Sequence, residues 1–484
     1  MMRKAIKRLM LVATMAAAAF TSARAINIPR PEYPRPQFER ADWINLNGQW
    51  TCELDMSKTG DQRGWKDSKG LSQKITVPFC PESQLSGIGH TDFIPCIWYQ
   101  RSVSIPAEWT GKRILLQFGA ADYETHVYIN GKLAGEHYGT GSSFAIDLTP
   151  YAKAGEKVNL VVRVDDDLRG GKQPGGAHVA AHLVDDISLG IPYRVFHVVE
   201  VGIFGTPQAG VLWTAPSDEA LKQDIAMSKA VGFNGARLHQ KVFEERYYYW
   251  ADRLGYLTWG EEASWGLNVN NNEAVRNFLT EWADIVVRDR NHPSLVTWTP
   301  LNETWDARAG VYVRFVNDLY NLTKAIDPTR PVNDASGDSH VKTDIWTVHD
   351  YTREPEKLIA NHTIKAGVEP YRNMKDKDYL ANFAGQPYMV DEFGGLPWIP
   401  KEERANSWGY GQNIETLEDF YTILEKEIDA LKACKYVVGF CYTQITDVEQ
   451  EKNGIYYYDR RPKFDTARLK AIFEKIPSII ENPQ

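Results

Sequence analysis

Apolar positions along the chain follow two different periods, and the change from one to the other divides it. Between Trp43 and about Asp167, apolar and polar residues alternate in short runs. Examples are Trp50 to Leu54, Lys74 to Val77, Ile97 to Ile105, Arg113 to Phe118, Glu124 to Ile129 and Val158 to Val164. A period of two with turn signals between the runs predicts β-strands that bury one face. Asn130-Gly131 lies just beyond one of these runs, and this pair favours the two-residue hairpin turn whose twist matches that of the strands. Many short strands at this spacing predict an all-β sandwich or jelly roll over 43–169.

From Ala215 the rhythm becomes strand, helix, strand. Ser217 to Val231 predicts a helix, with Ser217 as N-cap and acids in the first turn. Further helices are expected at Val242 to Leu254, Glu273 to Arg290, Val311 to Ile326, Glu415 to Ala433 and Ala467 to Lys475. Strands are expected at Phe233 to His239, Tyr256 to Gly260, Pro293 to Glu303, Pro331 to Ala335, Asp344 to His349, Gln386 to Phe393 and Tyr436 to Tyr442. Such alternation implies a parallel sheet under helical cover, and the number of repeats favours a closed (β/α)8 barrel over 209–484. The chain therefore reads as multidomain: an N-terminal jelly-roll sandwich, a short connector at 170–208, then an α/β barrel of the TIM type.

The first 25 residues stand apart from both patterns. Arg3, Lys4, Lys7 and Arg8 precede an apolar run from Leu9 to Phe20, which ends in Ala23-Arg24-Ala25. A basic opening, a short apolar stretch and a small-x-small end describe a secretory signal peptide, and no Cys follows to carry a lipid anchor. No later stretch is apolar enough to cross a bilayer, so an exported protein, periplasmic or secreted, is expected. Residues 26–42 carry Pro29, Pro31, Pro34 and Pro36 and predict an extended arm.

Charge and composition narrow the partners. A net charge of -8 gives no reason to expect nucleic acid or an anionic membrane. Aromatic residues make up 12%, with 15 Trp and 24 Tyr, which suits stacking against sugar faces although a large core also consumes rings. The five cysteines show no metal-ligand spacing. Export permits disulfides, with Cys80 and Cys96 the candidate pair, and the odd count leaves at least one thiol free.

In a (β/α)8 barrel the C-terminal ends of the strands carry the chemistry. Those ends present Arg237 and His239, Glu261 and Glu262, Asn302 and Glu303, His349 to Tyr351, Asp391 and Glu392, and Tyr442 with Gln444. Glu303 closes the stretch RNHPSLVTWTPLNE between Trp298 and Trp305. A carboxylate beside indoles is desolvated, which raises its pKa and suits it to donate a proton; Trp298 itself reads as core. Glu392 ends an apolar strand and precedes Gly394-Gly395, which permit close approach of backbone or ligand. Glu261 and Glu262 suit either a sugar hydroxyl or a helix cap. Two carboxylates on separate strand ends are what glycoside cleavage needs. One protonates the leaving oxygen and the other attacks the anomeric carbon, a spacing of about 5 Å giving retention of configuration.

The stretches GFNGARLHQK, RNHPSLVTWTPLNE, YMVDEFGG and YTQITDVEQEKNGIYYYDRRPK resemble glycoside hydrolase family 2, the β-galactosidase and β-glucuronidase family. The segment from WINLNGQW to VVRVDDDLR resembles that family's sugar-binding jelly roll. The resemblance implies a retaining exo-β-glycosidase with Glu303 as general acid/base and Glu392 as nucleophile. It also implies that Asn302 holds the sugar 2-hydroxyl and that Arg237 orients Glu392 and keeps it ionised. A Tyr at the position of Tyr351 contacts the nucleophile in the family. His239 and His349 would line the same pocket, and Tyr442 stands where many relatives place a Trp against the sugar. No organic cofactor is implied. A divalent cation could support the site, but no ligand cluster in the sequence identifies one. The partner expected is an oligosaccharide or other glycoside; nothing in the sequence indicates an oligomeric state.

Two departures from the family pattern stand out. Members normally carry an immunoglobulin-like sandwich of about 100 residues between jelly roll and barrel, and Gly170 to Gln208 is too short for one. Either the chain is naturally shortened and Tyr193 to Gly205 serves as the first barrel strand, or an internal deletion has removed that strand and exposed the edges of both neighbours. The second departure is local. Glucuronidases place an Asn-x-Lys pair just before the segment matching GIYYYDRRPK, and here Glu449-Gln450-Glu451-Lys452-Asn453 occupies that place. The expectation is a neutral β-glycoside, galactoside ahead of mannoside, glucuronide or arabinoside. The competing reading is a carbohydrate-binding or inactive relative, whose pocket the shortened middle has spoiled.

Overall fold

Two separate sheets account for the alternation in the first half of the chain. The computed structural model describes residues 28–33, 36, 39–166, 214–304, 309–337, 339–365, 368–372 and 379–475, together with the backbone of 196–200. The leader and most of the connector lie outside the described residues. The N-terminal strands are β1 (Gly48–Leu54), β2 (Gln73–Val77), β3 (Cys96–Ser104), β4 (Leu115–Phe118), β5 (Glu124–Ile129), β6 (Lys132–Tyr138), β7 (Phe144–Asp147) and β8 (Lys157–Asp165). Six of them form one antiparallel sheet in the order β2-β1-β3-β8-β5-β6, and β4 pairs with β7. Trp50, Ile75, Val127, Leu160, Val162 and Phe118 meet in the core of this sandwich. The β5–β6 hairpin turns at Asn130 (φ 50°) and Gly131 (φ 78°), both in the left-handed region that this turn requires.

The barrel strands are β9 (Phe196–Glu200), β10 (Gly235–Arg237), β11 (Leu257–Glu261), β12 (Leu295–Thr299), β13 (Trp346–His349), β14 (Tyr388–Gly394) and β15 (Val437–Thr443). They form one parallel sheet in the order β12-β11-β10-β9-β15-β14-β13. Seven helices are described: α1 (Asp218–Ala230), α2 (Glu245–Leu254), α3 (Asn272–Asp289), α4 (Ala309–Ile326), α5 (Pro355–His362), α6 (Leu417–Ala433) and α7 (Thr466–Phe473). Strand β9 pairs with both β10 and β15, so the connector does supply the first barrel strand.

The fifth strand, expected at Pro331 to Ala335, is reduced to two isolated bridges, Trp298 to Val332 and Asn302 to Ser336. Asp334 explains the interruption. Its carboxylate accepts from the backbone N–H groups of Val341 and Lys342 at 2.6 and 2.9 Å and meets His340 at 2.7 Å, so the chain bends into a polar loop instead of continuing a ladder. Helix α5 carries no sequence expectation, because only Leu358 and His362 of its eight residues are buried and its apolar stripe is too thin to show a period.

Jelly roll and barrel are joined by buried polar contacts. Glu281 on α3 accepts the backbone N–H groups of Thr140, Gly141 and Ser142. Arg30 of the proline-rich arm donates to Glu244 and to the carbonyl of Ala215. The Cys80–Cys96 pairing does not form; all five cysteines are buried and none is in a disulfide. Cys96 packs with Trp98, Tyr128 and Val161 in a small cluster separate from the sandwich core, while Cys80 lies in the turn after β2.

Candidate active site

One buried guanidinium ties three strand ends together. Arg237, the last residue of β10, is 0% exposed and donates from Nε to Glu261 Oε2 at 2.7 Å. Its Nη1 donates to Glu392 Oε1 at 2.7 Å, and its Nη2 to Asn302 Oδ1 at 2.7 Å and to His239 Nδ1 at 2.9 Å. A planar fork with five donors fits this set of acceptors where a lysine would not. Glu261 is thereby the counter-ion of Arg237 and neither a sugar ligand nor a helix cap. Glu262 turns away and accepts from the N–H of Ala263.

Glu392, near the end of β14, is held from both sides. Arg237 contacts Oε1, and the hydroxyl of Tyr351 donates to Oε2 at 2.5 Å. Burial would push this carboxyl up, but the positive charges of His349 and Arg237 outweigh it and hold it down at about 2. The Tyr351 ring stacks flat on Tyr410, with centroids 3.7 Å apart and planes 1° apart. The two glycines after Glu392 make room for rings: a Cβ on Gly394 would sit 2.5 Å from the ring of Tyr442, and one on Gly395 2.4 Å from that of Tyr410.

Glu303 follows β12 and adopts φ 44°, a left-handed conformation costly for a residue with a Cβ. Its N–H donates to the carbonyl of Ser336 at 3.0 Å, which fixes the turn. The side chain is 27% exposed and so reaches the solvent side of the pocket. Nδ1 of His349 lies 2.8 Å from Glu303 Oε1 and 3.3 Å from Glu392 Oε2, and the donor atoms of the three groups all lie within 4.8 Å of one another. Burial would lower the imidazole, but Glu392, Asp391 and the bond to Glu303 raise it to about 9. It is therefore a cation at neutral pH. On its far side, Nε2 meets Ser336 Oγ at 3.0 Å, and that hydroxyl donates to Asp391 at 2.7 Å.

Arg237, His239, Asn302, Glu303, His349, Tyr351 and Glu392 thus converge on one mouth. Tyr442 does not. It is 0% exposed and packs against Phe393 and Phe473, facing the helices, while Thr443 is the β15 residue whose hydroxyl approaches Tyr351, at 3.4 Å. Side chains alternate along a strand, so one position of register sends Tyr442 into the core. The desolvation of Glu303 expected from its flanking indoles is not found for Trp298. Trp298 donates from Nε1 to Asp327 inside the core at 2.9 Å, and Trp305 lies outside the described residues. Ser336 and Tyr410 complete the site without having been singled out, and Asp391, named beside Glu392 at its strand end, supports His349 through Ser336. Ser336 sits in a polar loop that carries no pattern, whereas Tyr410, set between two glycines in WGYG, could have been noticed.

Glu303, His349 and Glu392 offer three donors to a cation, as do Glu245, Asp289 and His292. Neither set suits a divalent ion well. In the first the Arg237 guanidinium already engages Glu392 Oε1 at 2.7 Å, and in the second Arg288 pairs with Asp289 through Nε and Nη2 at 2.7 and 2.8 Å.

Comparison with known proteins places this geometry. The profile described as "Glycosyl hydrolases family 2, TIM barrel domain" matches residues 214–478, and "Glycosyl hydrolases family 2, sugar binding domain" matches 44–172. The chain belongs to glycosyl hydrolase family 2. Like other glycosyl hydrolases of this family it joins a sugar-binding domain to a TIM barrel, but only 173–213 lie between the two matches, too few for an immunoglobulin-like domain. It is 22% identical over 408 residues to the β-glucuronidase of Felis catus, covering 81% of this chain and 57% of the cat protein. It is 34% identical over 98 residues to the β-galactosidase of Thermoanaerobacter pseudethanolicus, covering 20% of this chain and 12% of that protein. The β-glucuronidase of Ruminococcus gnavus in complex with an N1-substituted uronic isofagomine shares the fold. It superposes with a TM-score of 0.70 at 15% identity, covering 92% of this chain and all of the other. The chain spans little more than half the length of the curated cat relative.

Proposed function

We propose that the protein is a retaining exo-β-glycosidase acting on terminal neutral sugars, β-galactosides first. The observation that carries this reading is the pairing of Glu303 and Glu392, whose facing oxygens lie within 4.8 Å across the mouth of the barrel. That spacing suits double displacement, in which one carboxylate attacks directly and no water has to fit between the two. Glu392, kept ionised by Arg237 and His349, attacks the anomeric carbon. Glu303 gives its proton to the leaving oxygen and then takes one from water to release the sugar. Asn302, oriented by Arg237, is placed to hold the 2-hydroxyl.

The local charge supports a neutral glycone. In the loop after β15, Lys452 Nζ pairs with Glu403 at 3.1 Å and Lys463 is buried against Asp447, so both ammonium groups already have carboxylate partners. Glu451 accepts from Asn453 in the same loop and would repel a carboxylate. The second reading, a β-glucuronidase, is favoured by the likeness to the β-glucuronidases of cat and Ruminococcus gnavus. Initial rates on matched 4-nitrophenyl β-galactoside, mannoside and glucuronide decide between them; a faster glucuronide overturns the first reading. The sequence of Met1–Ala25 supports export, which the N-terminal sequence of protein recovered outside the cytoplasm would test. Among the described residues no helix is long and apolar enough to cross a membrane.

A further inference from the structure

Among the described residues, two tryptophans are left exposed at the mouth of the barrel, Trp265 at 42% and Trp408 at 49%. Each is anchored through its backbone. Gln240 Oε1 accepts the N–H groups of Ser264 and Trp265 at 3.0 and 3.2 Å, and the N–H of Asn302 donates to Ser264 Oγ at 3.0 Å. Trp408 donates to the carbonyl of Gln450 and accepts from the N–H of Lys452, both at 2.8 Å. Gly409 beside it cannot carry a side chain cheaply, because a Cβ there would lie 2.6 Å from Pro397.

Each indole is also linked by ring contacts to a residue of the site. Trp265 stands edge-on to His239 at 5.7 Å. Trp408 stands edge-on to Tyr410 at 5.7 Å, and Tyr410 stacks on Tyr351, which bonds the nucleophile. The two loops follow β11 and β14, the third and seventh strands of an eight-membered ring, and therefore lie on opposite sides of its mouth. A single exposed aromatic needs no explanation. Two that are fixed at the backbone, on opposite sides and each in touch with the site, suit a pair of walls. An indole presents a large apolar face with a polar edge, which complements the C–H face and hydroxyl rim of a pyranose.

We propose that Trp265 and Trp408 wall a leaving-group subsite that receives a second sugar ring. On this view the preferred substrate is the non-reducing end of a β-linked disaccharide or oligosaccharide, in preference to the glycoside of a small alcohol. The assignment rests on the glycosidase reading and deepens it.

The test compares Trp265→Ala, Trp408→Ala and the wild type on pairs of substrates sharing one sugar: a glycosyl fluoride, whose leaving group has no ring, and a β-linked disaccharide. Galactose, glucose, mannose and glucuronate pairs cover the glycone choices. Each substitution is expected to lower the ratio of disaccharide to fluoride kcat/KM by about five- to tenfold, with the corresponding Trp→Phe variants restoring most of it. An unchanged ratio in both variants overturns the subsite. Calorimetric binding of the same disaccharides to Glu392→Gln, with and without each tryptophan, separates the two readings. Binding weakened by the loss of either tryptophan supports the subsite even if no sugar is hydrolysed, and binding indifferent to both contradicts it even if hydrolysis proceeds.

Discussion

Nδ1 of His349 donates to Oε1 of Glu303 across 2.8 Å, while the same atom stands 3.3 Å from Glu392. A proton is thus held beside the carboxylate proposed to deliver one. At neutral pH the imidazole is charged, and it loses its proton only as pH rises through about 9. Replacing His349 with Gln should draw the alkaline limb of kcat/KM to lower pH and cut kcat by roughly a hundredfold, the usual scale of a general-acid contribution. A pH–rate profile with an unmoved alkaline limb would contradict this role.

The same residue should leave a mark on stability. Its folded pKa, about 9, lies above the unfolded value near 6.5. The stabilisation it provides is therefore fully present below about pH 6.5 and lost as pH rises through 9. Melting temperatures of wild type and His349→Gln, measured from pH 6 to pH 9.5, should converge toward the alkaline end.

Arg237, itself 0% exposed, neutralises the buried carboxylates of Glu261 and Glu392. Removing it by Arg237→Ala leaves two buried carboxylates unpaired, at a cost of about 3–5 kcal/mol. Arg237→Lys should restore part of the stability, seen in urea unfolding, but little of the activity, because one ammonium cannot meet Glu261, Glu392 and Asn302 together.

Glu281 is one of the buried contacts through which the jelly roll holds the barrel. Glu281→Ala strands three backbone donors at Thr140 to Ser142 and should cost about 1–3 kcal/mol. Limited proteolysis should then cut between the domains at lower denaturant than in the wild type.

Much of this was legible in the sequence because hydrophobic period reports burial directly. The strands at Leu257–Glu261 and Tyr388–Gly394, the helix at Asp218–Ala230 and the Asn130-Gly131 turn fall where their patterns put them. What escaped depends on direction and distance, which period does not carry. Tyr442 and Thr443 are adjacent in the chain, and only the register of β15 decides which of them faces Tyr351. Ser336 reaches His349 because a strand is interrupted at Asp334, and no residue pattern announces that interruption. The family resemblance named Glu303 and Glu392, but the charged imidazole between them became visible only once the three strand ends were assembled.

The central claim, attack by Glu392 to form a covalent glycosyl-enzyme, is tested most directly by intact mass. The protein and its Glu392→Gln variant would each be incubated with 2-deoxy-2-fluoro β-galactoside, mannoside, glucoside and glucuronide. The account predicts one added sugar on the wild type, greatest with a neutral glycone, and none on the variant. No adduct from any sugar on folded wild-type protein, or an equal adduct on Glu392→Gln, would contradict it.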